Sequence, residues 1–159
     1  MEMRVENLPE MNVAYVRNIG NYIGNSALFE KLFGQLCGWA GPKGLLGQED
    51  MTMLSVYYED PKKTDPENLK LDVCLTVPEG TEAGDGIEIQ KLSAGKYAIL
   101  HGEFKVPEDY MKAWDELYQK MIPEAGLEYR DEPCYEIYRN DPKTHPEGMQ
   151  IVDLCVPIK

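Results

Sequence analysis

The run Cys134-Tyr135-Glu136-Ile137-Tyr138 places a carboxylate between a thiol and a phenol. Aromatic and β-branched residues at this density read as a strand. A strand sends alternate side chains to opposite faces. Cys134, Glu136 and Tyr138 therefore share one face, and Tyr135 and Ile137 the other. A carboxylate among rings and soft sulfur can be the counter-charge to a cation that the rings attract. It can also serve as general base toward a water. The ordinary role of a mid-strand glutamate is simpler: it lies on the solvated face of a sheet. Its surroundings decide between these roles.

Those surroundings come from a duplicated chain. "YYEDPKKTDPE" at 57–67 echoes "YRNDPKTHPE" at 138–147, and Asp60-Pro61 matches Asp141-Pro142 at an offset of 142 − 61 = 81. The same offset carries Asp72-Val73-Cys74 onto Asp153-Leu154-Cys155. "YVRNIGNY" at 15–22 matches "YAILHGEF" at 97–104, at 97 − 15 = 82. Ordered matches at nearly one offset indicate two copies of a unit of about 80 residues, too few for a solenoid.

Each copy reads strand, helix, strand, strand. In the first, 12–18 is extended, and Leu28, Phe29, Leu32, Phe33, Leu36 and Cys37 recur at helical spacing until Gly41-Pro42. "TMLSVYY" and "LKLDVCLTV" follow as strands. In the second, "YAILHGEF" is a strand, Pro107 suits a first helical position, and Glu108 and Asp109 suit the first turn. Tyr110, Met111, Trp114, Leu117, Tyr118 and Met121 form the helical stripe, which Pro123 and Gly126 end. "PCYEIYR" and "MQIVDLCVPI" close the copy, and 78–86 connects the halves. The expected fold is α+β: one domain over 1–159, with β-α-β-β halves of roughly 1–78 and 87–159 related by a pseudo-twofold. Their strands form antiparallel sheet, and two helices flank a central groove.

The offset maps Glu136 onto Ser55 and Tyr138 onto Tyr57, so Met53, Ser55 and Tyr57 face as Cys134, Glu136 and Tyr138 do. Gly20-Asn21-Tyr22 maps onto Gly102-Glu103-Phe104, an aromatic at each strand-to-helix junction. Trp39 and Trp114 sit in helical stripes, where core packing is the ordinary role, and either can also form a pocket rim. The candidate ligand-binding residues are thus Glu136, Tyr138, Tyr57, Tyr22, Ser55, Met53, Cys134, Phe104, Trp39 and Trp114. Such rings, sulfur and one carboxylate suit a small hydrophobic or cationic organic molecule.

The formal net charge of −12 argues against nucleic-acid binding and against anionic membranes. No stretch approaches the ~18 apolar residues of a membrane span, and the start has no signal-peptide core, so a cytoplasmic protein is expected. Cys37, Cys74, Cys134 and Cys155 form no disulfide framework and read as free thiols. His101 and His145 stand in no metal-ligand spacing, and His101 reads as a strand residue with a local hydrogen bond. No metal and no cofactor are expected.

Three stretches together, "VYYEDP" with "LDVCLTVP", "LSAGKYAILHGEF" and "EPCYEIYRNDP", resemble the GyrI-like small-molecule-binding family over nearly the whole chain. That family, also called DNA gyrase inhibitor-like, includes effector-binding domains of AraC-type and MerR-type regulators. The resemblance implies the stand-alone form, since the chain leaves no room for a helix-turn-helix segment. It implies two β-α-β-β units with a central pocket, and a glutamate at position 136 that points into it toward lipophilic, often cationic, molecules. Three functions follow from it. The first is a drug-sequestering or ligand-sensing binder. The second is a hydrolase of cyclopropane-containing electrophiles, with Glu136 acting on water and Tyr57 and Tyr138 assisting as hydroxyl donors. The third is inhibition of DNA gyrase by protein contact.

Overall fold

The computed structural model describes residues 2–159. The chain forms two compact units, one of residues up to Pro9 together with Ala94–Lys159, the other of Glu10–Ser93. Strands β1 (Met3–Leu8), β2 (Met11–Ile19), β3 (Met53–Tyr57), β4 (Lys70–Thr76), β5 (Glu88–Leu92), β6 (Gly95–Phe104), β7 (Cys134–Tyr138) and β8 (Gln150–Pro157) accompany helices α1 (Ser26–Ala40) and α2 (Pro107–Asp115). The fold is α+β with antiparallel strand pairs.

Within the unit Glu10–Ser93 the strand order is β3-β4-β2-β5; within the other it is β1-β6-β8-β7. Both units contain the β-α-β-β order read from the repeat, and each has one strand more. The unit boundaries differ from the halves 1–78 and 87–159. Residues 3–8 pair with β6, and residues 88–92 pair with β2. Each repeat copy is thus completed by the short strand that precedes the other copy. Neither strand carries an apolar pattern strong enough to announce it: β1 is mostly exposed.

The sheet register also corrects one alignment. Asp72 pairs with Arg17 and Val56, whereas Asp153 pairs with His101 and Ile137. The offset is 81 for the last two strands (153 − 72; 137 − 56) but 84 for the first (101 − 17). Gly20 therefore does not correspond to Gly102. Gly20 leaves β2 at φ 141, a backbone angle that disfavours side chains, while Gly102 lies inside β6.

The helices begin where their caps dictate. Asn25 Oδ1 accepts from Leu28 N at 3.1 Å at the start of α1. Pro107 opens α2, and Asp109 Oδ2 accepts from the backbone of Lys105 and Val106 at 2.9 and 3.1 Å. On α1, Leu32, Leu36 and Ala40 pack at regular i+4 spacing on Ala14, Val16, Leu71, Val73 and Leu75. On α2, Ala113 and Leu117 are followed by Ile122, and all three pack on Ala98, Leu100, Val152, Leu154 and Val156. The step from 117 to 122 is five residues, one too many for an α-helix to keep on one face. A π turn over Glu116–Met121 absorbs the extra residue, and the helix closes with an α-turn Ile122–Glu124. The equivalence of the two helices is 81 before this turn (113 − 32; 117 − 36) and 82 after it (122 − 40).

Pro123 lies in the α-turn that follows the π turn. Its ring has no N–H and clashes with a carbonyl four residues earlier. The Ile122 N–H bonds the Leu117 carbonyl, five residues back.

Candidate functional site

Glu136 is buried, at 5% exposure, on the face of β7 that looks toward α2. An unpartnered carboxylate at such a depth would be strongly disfavoured. Two donors meet it. Trp114 Nε1 donates to Oε2 at 2.7 Å, and the Tyr138 hydroxyl donates to Oε1 at 2.9 Å. Tyr138 is two residues along the same strand, so the pleat brings it to the same face. Trp114 reaches down from α2 four residues after Tyr110, and Tyr118 follows four residues later in the π turn. Tyr110 and Tyr118 pack with Cys134 and Tyr138 around the unit's core. Burial, and next the negative charge of Glu136, push the Tyr110 phenol above its ordinary range. Phe104 packs on Tyr110 with ring centres 4.8 Å apart. The result is a carboxylate inside an aromatic wall, which can accept hydrogen bonds or balance a cation.

The corresponding surface of the other unit has no carboxylate. Ser55 is fully buried on β3, with Met53 and Tyr57 half-buried beside it, all toward α1. Tyr22 packs on Tyr57 at 5.2 Å and on Phe29 at 6.3 Å between ring centres. Trp39 is buried in the same core; its Nε1 has no hydrogen-bond partner, and the Lys43 ammonium lies 5.4 Å from its ring centre. The structure thus brings Glu136, Tyr138, Trp114, Cys134 and Phe104 together in one unit, and Ser55, Met53, Tyr57, Tyr22 and Trp39 in the other. Sequence reasoning gave Trp114 core packing as its ordinary role and the pocket rim as the other; its indole is a hydrogen-bond donor to Glu136. It also passed over Tyr110 and Tyr118. A signal for Trp114 was available: the offset of 81 maps it onto Phe33, so indole and carboxylate replace ring and hydroxyl in the same copy.

A second polar feature lies on the sheet faces opposite the helices. Asp72 is fully buried and accepts from Arg17 Nε and Nη2 at 2.8 and 2.9 Å, from the Tyr58 hydroxyl at 2.5 Å and from Gln90 Nε2 at 3.0 Å. Asp153, its repeat partner, bonds His101 Nδ1 at 2.6 Å, Arg139 Nε at 2.9 Å and Arg4 Nη2 at 3.3 Å. Burial alone would raise the Asp153 carboxyl; His101 and Arg139 outweigh it, so the group titrates below its ordinary range. The local bond expected of His101 is this one. Each cluster ties a central strand to both neighbours and to the outer strand β5 or β1. All four cysteines are free thiols. No helix among the described residues is long and apolar enough to cross a membrane.

The model of the GyrI-like small molecule binding domain matches residues 1–159. A DNA gyrase inhibitor of Yersinia enterocolitica is 36% identical over 92 residues, which are 55% of this chain and 58% of that protein, less than two thirds of its length. Among solved structures, the EcmrR C-terminal domain shares the fold with a TM-score of 0.79 at 15% identity, covering 99% of this chain and 97% of that one. SAV2435 bound to tetraphenylphosphonium shares it with a TM-score of 0.63 at 16% identity, covering 100% of this chain and 94% of that one.

Proposed function

The chain belongs to the GyrI-like small-molecule-binding family, and we propose that its own ligands are aromatic or lipophilic organic cations bound against the Glu136 surface. The observation that carries this reading is a buried carboxylate held by an indole and a phenol within an aromatic wall. The indole and the phenol are neutral donors, so their bonds hold the carboxylate without cancelling its charge. The rings of Tyr110, Trp114 and Tyr118 supply apolar area and negative π faces. The tetraphenylphosphonium complex of a protein of the same fold supports this choice of ligand class.

Glu136→Gln tests the reading. The substitution keeps shape and hydrogen-bonding capacity and removes the charge. Losing one partner of a buried charged pair costs about 2–5 kcal/mol, so tetraphenylphosphonium should bind at least tenfold more weakly by calorimetry. A neutral aromatic ligand of similar size should be affected far less. Equal losses for both ligands, or none for the cation, would remove the electrostatic role assigned to Glu136.

A second reading, inhibition of DNA gyrase by protein contact, is favoured by the name of the Yersinia relative and by the excess of acidic residues. A supercoiling assay with added protein decides it: unchanged supercoiling at protein excess discards it.

A further inference from the structure

The π turn leaves backbone carbonyls to be satisfied from outside the helix, that of Tyr118 among them. In an α-helix the Tyr118 carbonyl would accept from the Ile122 N–H, but that donor bonds Leu117. In continued π geometry it would accept from residue 123, which is proline and has no N–H. The Tyr129 hydroxyl donates to this carbonyl, and the Tyr129 ring stacks on Tyr118 at 4.4 Å between centres and 18° between planes. Tyr129 is itself anchored. Its backbone bridges Ile158, the following Arg130 N donates to Pro157 O at 3.0 Å, and the Arg130 guanidinium bonds the carbonyls of Ile158 and Lys96 at 3.2 and 3.1 Å. A side chain mounted on the end of β8 thus reaches across to a helical carbonyl that the π turn and Pro123 deprive of a helical donor.

We propose that Tyr129 is a positioning residue for the Glu136 site: its bond to the Tyr118 carbonyl holds the π register of α2, and with it the placement of Trp114 and Tyr118. Without that donor, the Tyr118 carbonyl competes for the Ile122 N–H and draws the turn toward α geometry. Leu117 and Ile122, both fully buried, cannot then share the core face. One of the two segments must rotate, and the segment that carries Leu117 also carries Trp114 and Tyr118. The inference rests on the proposed binding function for its effect on ligands, but not for its effect on Trp114.

Tyr129→Phe keeps the ring stack and removes the hydroxyl. Three readouts apply to the full chain: hydrogen exchange of the amides at 119–126, the indole N–H resonance of Trp114 assigned with Trp114→Phe, and calorimetric affinity for tetraphenylphosphonium. Loss of one hydrogen bond of ordinary net strength predicts about fivefold faster exchange and about fivefold weaker binding. The Trp114 resonance should move, reporting a changed bond to Glu136. Pro123→Ala restores an N–H that can serve the Tyr118 carbonyl in the π register, so in that background Tyr129→Phe should change each readout by less than about twofold. Unchanged exchange in Tyr129→Phe overturns the latch. Faster exchange with an unmoved Trp114 resonance makes Tyr129 a structural residue only and overturns its positioning role. A parent chain that fails to bind the probe overturns the ligand class, while exchange and the Trp114 resonance still decide the latch.

Discussion

The two units carry the same skeleton and differ in polarity on the surface between helix and strands. At helical offset 81, Phe33 and Ser55 in one unit stand where Trp114 and Glu136 stand in the other. Phe33 and Trp114 are both half-buried on the helices, and Ser55 and Glu136 both buried on the strands beneath, so burial does not separate the two copies. What separates them is that the carboxylate comes with a donor on the helix above it. Asp72 and Asp153 behave in the opposite way. Both copies keep the aspartate, and both tie it to neighbouring strands, although the partners change from Arg17, Tyr58 and Gln90 to His101, Arg139 and Arg4. A carboxylate retained in both copies and clasped across strands is part of the scaffold. A carboxylate in one copy only, set among rings, is where we propose that the ligand binds.

The largest effect that sharpens this contrast falls on the scaffold clusters. Asp72 is fully buried, and the cation bonded to it is Arg17, itself 37% exposed. Removing one partner of a buried ion pair costs about 3–5 kcal/mol, which exposure of the arginine reduces. Arg17→Leu should lose about 2–3 kcal/mol in urea unfolding. Arg139→Leu leaves Asp153 with Arg4 and His101, so about 1 kcal/mol is expected from an exposed partner that others back up. A loss from Arg139→Leu as large as that from Arg17→Leu would show that the second cluster is not redundant.

The tryptophans come next. Trp114→Phe removes a hydrogen bond to a charged group, worth about 1.5–3 kcal/mol, and leaves Glu136 one donor poorer. Trp39→Phe removes a buried N–H that has no acceptor, so relief of that donor offsets part of the lost packing, and about 1 kcal/mol or less is expected. Thermal or urea unfolding of the two variants checks the order. Equal destabilisation would mean that the indole of Trp114 contributes through its size alone.

Periodicity and duplication made most of the fold legible. Helical spacing located both helices, strand alternation gave the facing of Cys134, Glu136 and Tyr138, and the offset of 81 matched the last two strands of each copy. Strands β1 and β5 escaped because they lie at sheet edges, where one side of a strand needs no apolar pattern. The register of the first strand escaped because Gly20 and Gly102 look alike in sequence and do different jobs: one leaves a strand, the other sits inside one. Glu136 was legible as a candidate only through the family's pattern, since periodicity gives a face and not its cover. The π turn had a trace in the chain, the five-residue step from Leu117 to Ile122 ahead of Pro123, but an apolar stripe that already runs to Met121 hides it.

The smallest expected effect is confined to alkaline solution and compares one phenol in each unit. Tyr110 is pushed up first by burial and then by the charge of Glu136. Tyr58 is pushed up first by burial and then by the hydrogen bond it donates to Asp72. For a phenol whose folded pKa lies above its unfolded value of about 10, the unfolded chain releases its proton first. The unfolded state then binds fewer protons than the native one, so stability falls as pH rises. The contribution is complete below about pH 10 and disappears as pH climbs through the folded values. Stability should therefore be flat through neutral pH and decline above about pH 10, with Tyr110→Phe and Tyr58→Phe each making the decline shallower. Because burial leads in both cases, Glu136→Gln should shift the Tyr110 titration only modestly, although a strong loss of cation binding is expected from it. Phenolate absorbance across the alkaline range, recorded for the parent and the three variants, separates the two causes. Ordinary titration of both phenols, or a collapse of the Tyr110 shift in Glu136→Gln, would mean that the aromatic wall is wetter than its burial indicates and that charge, not exclusion of water, governs this surface.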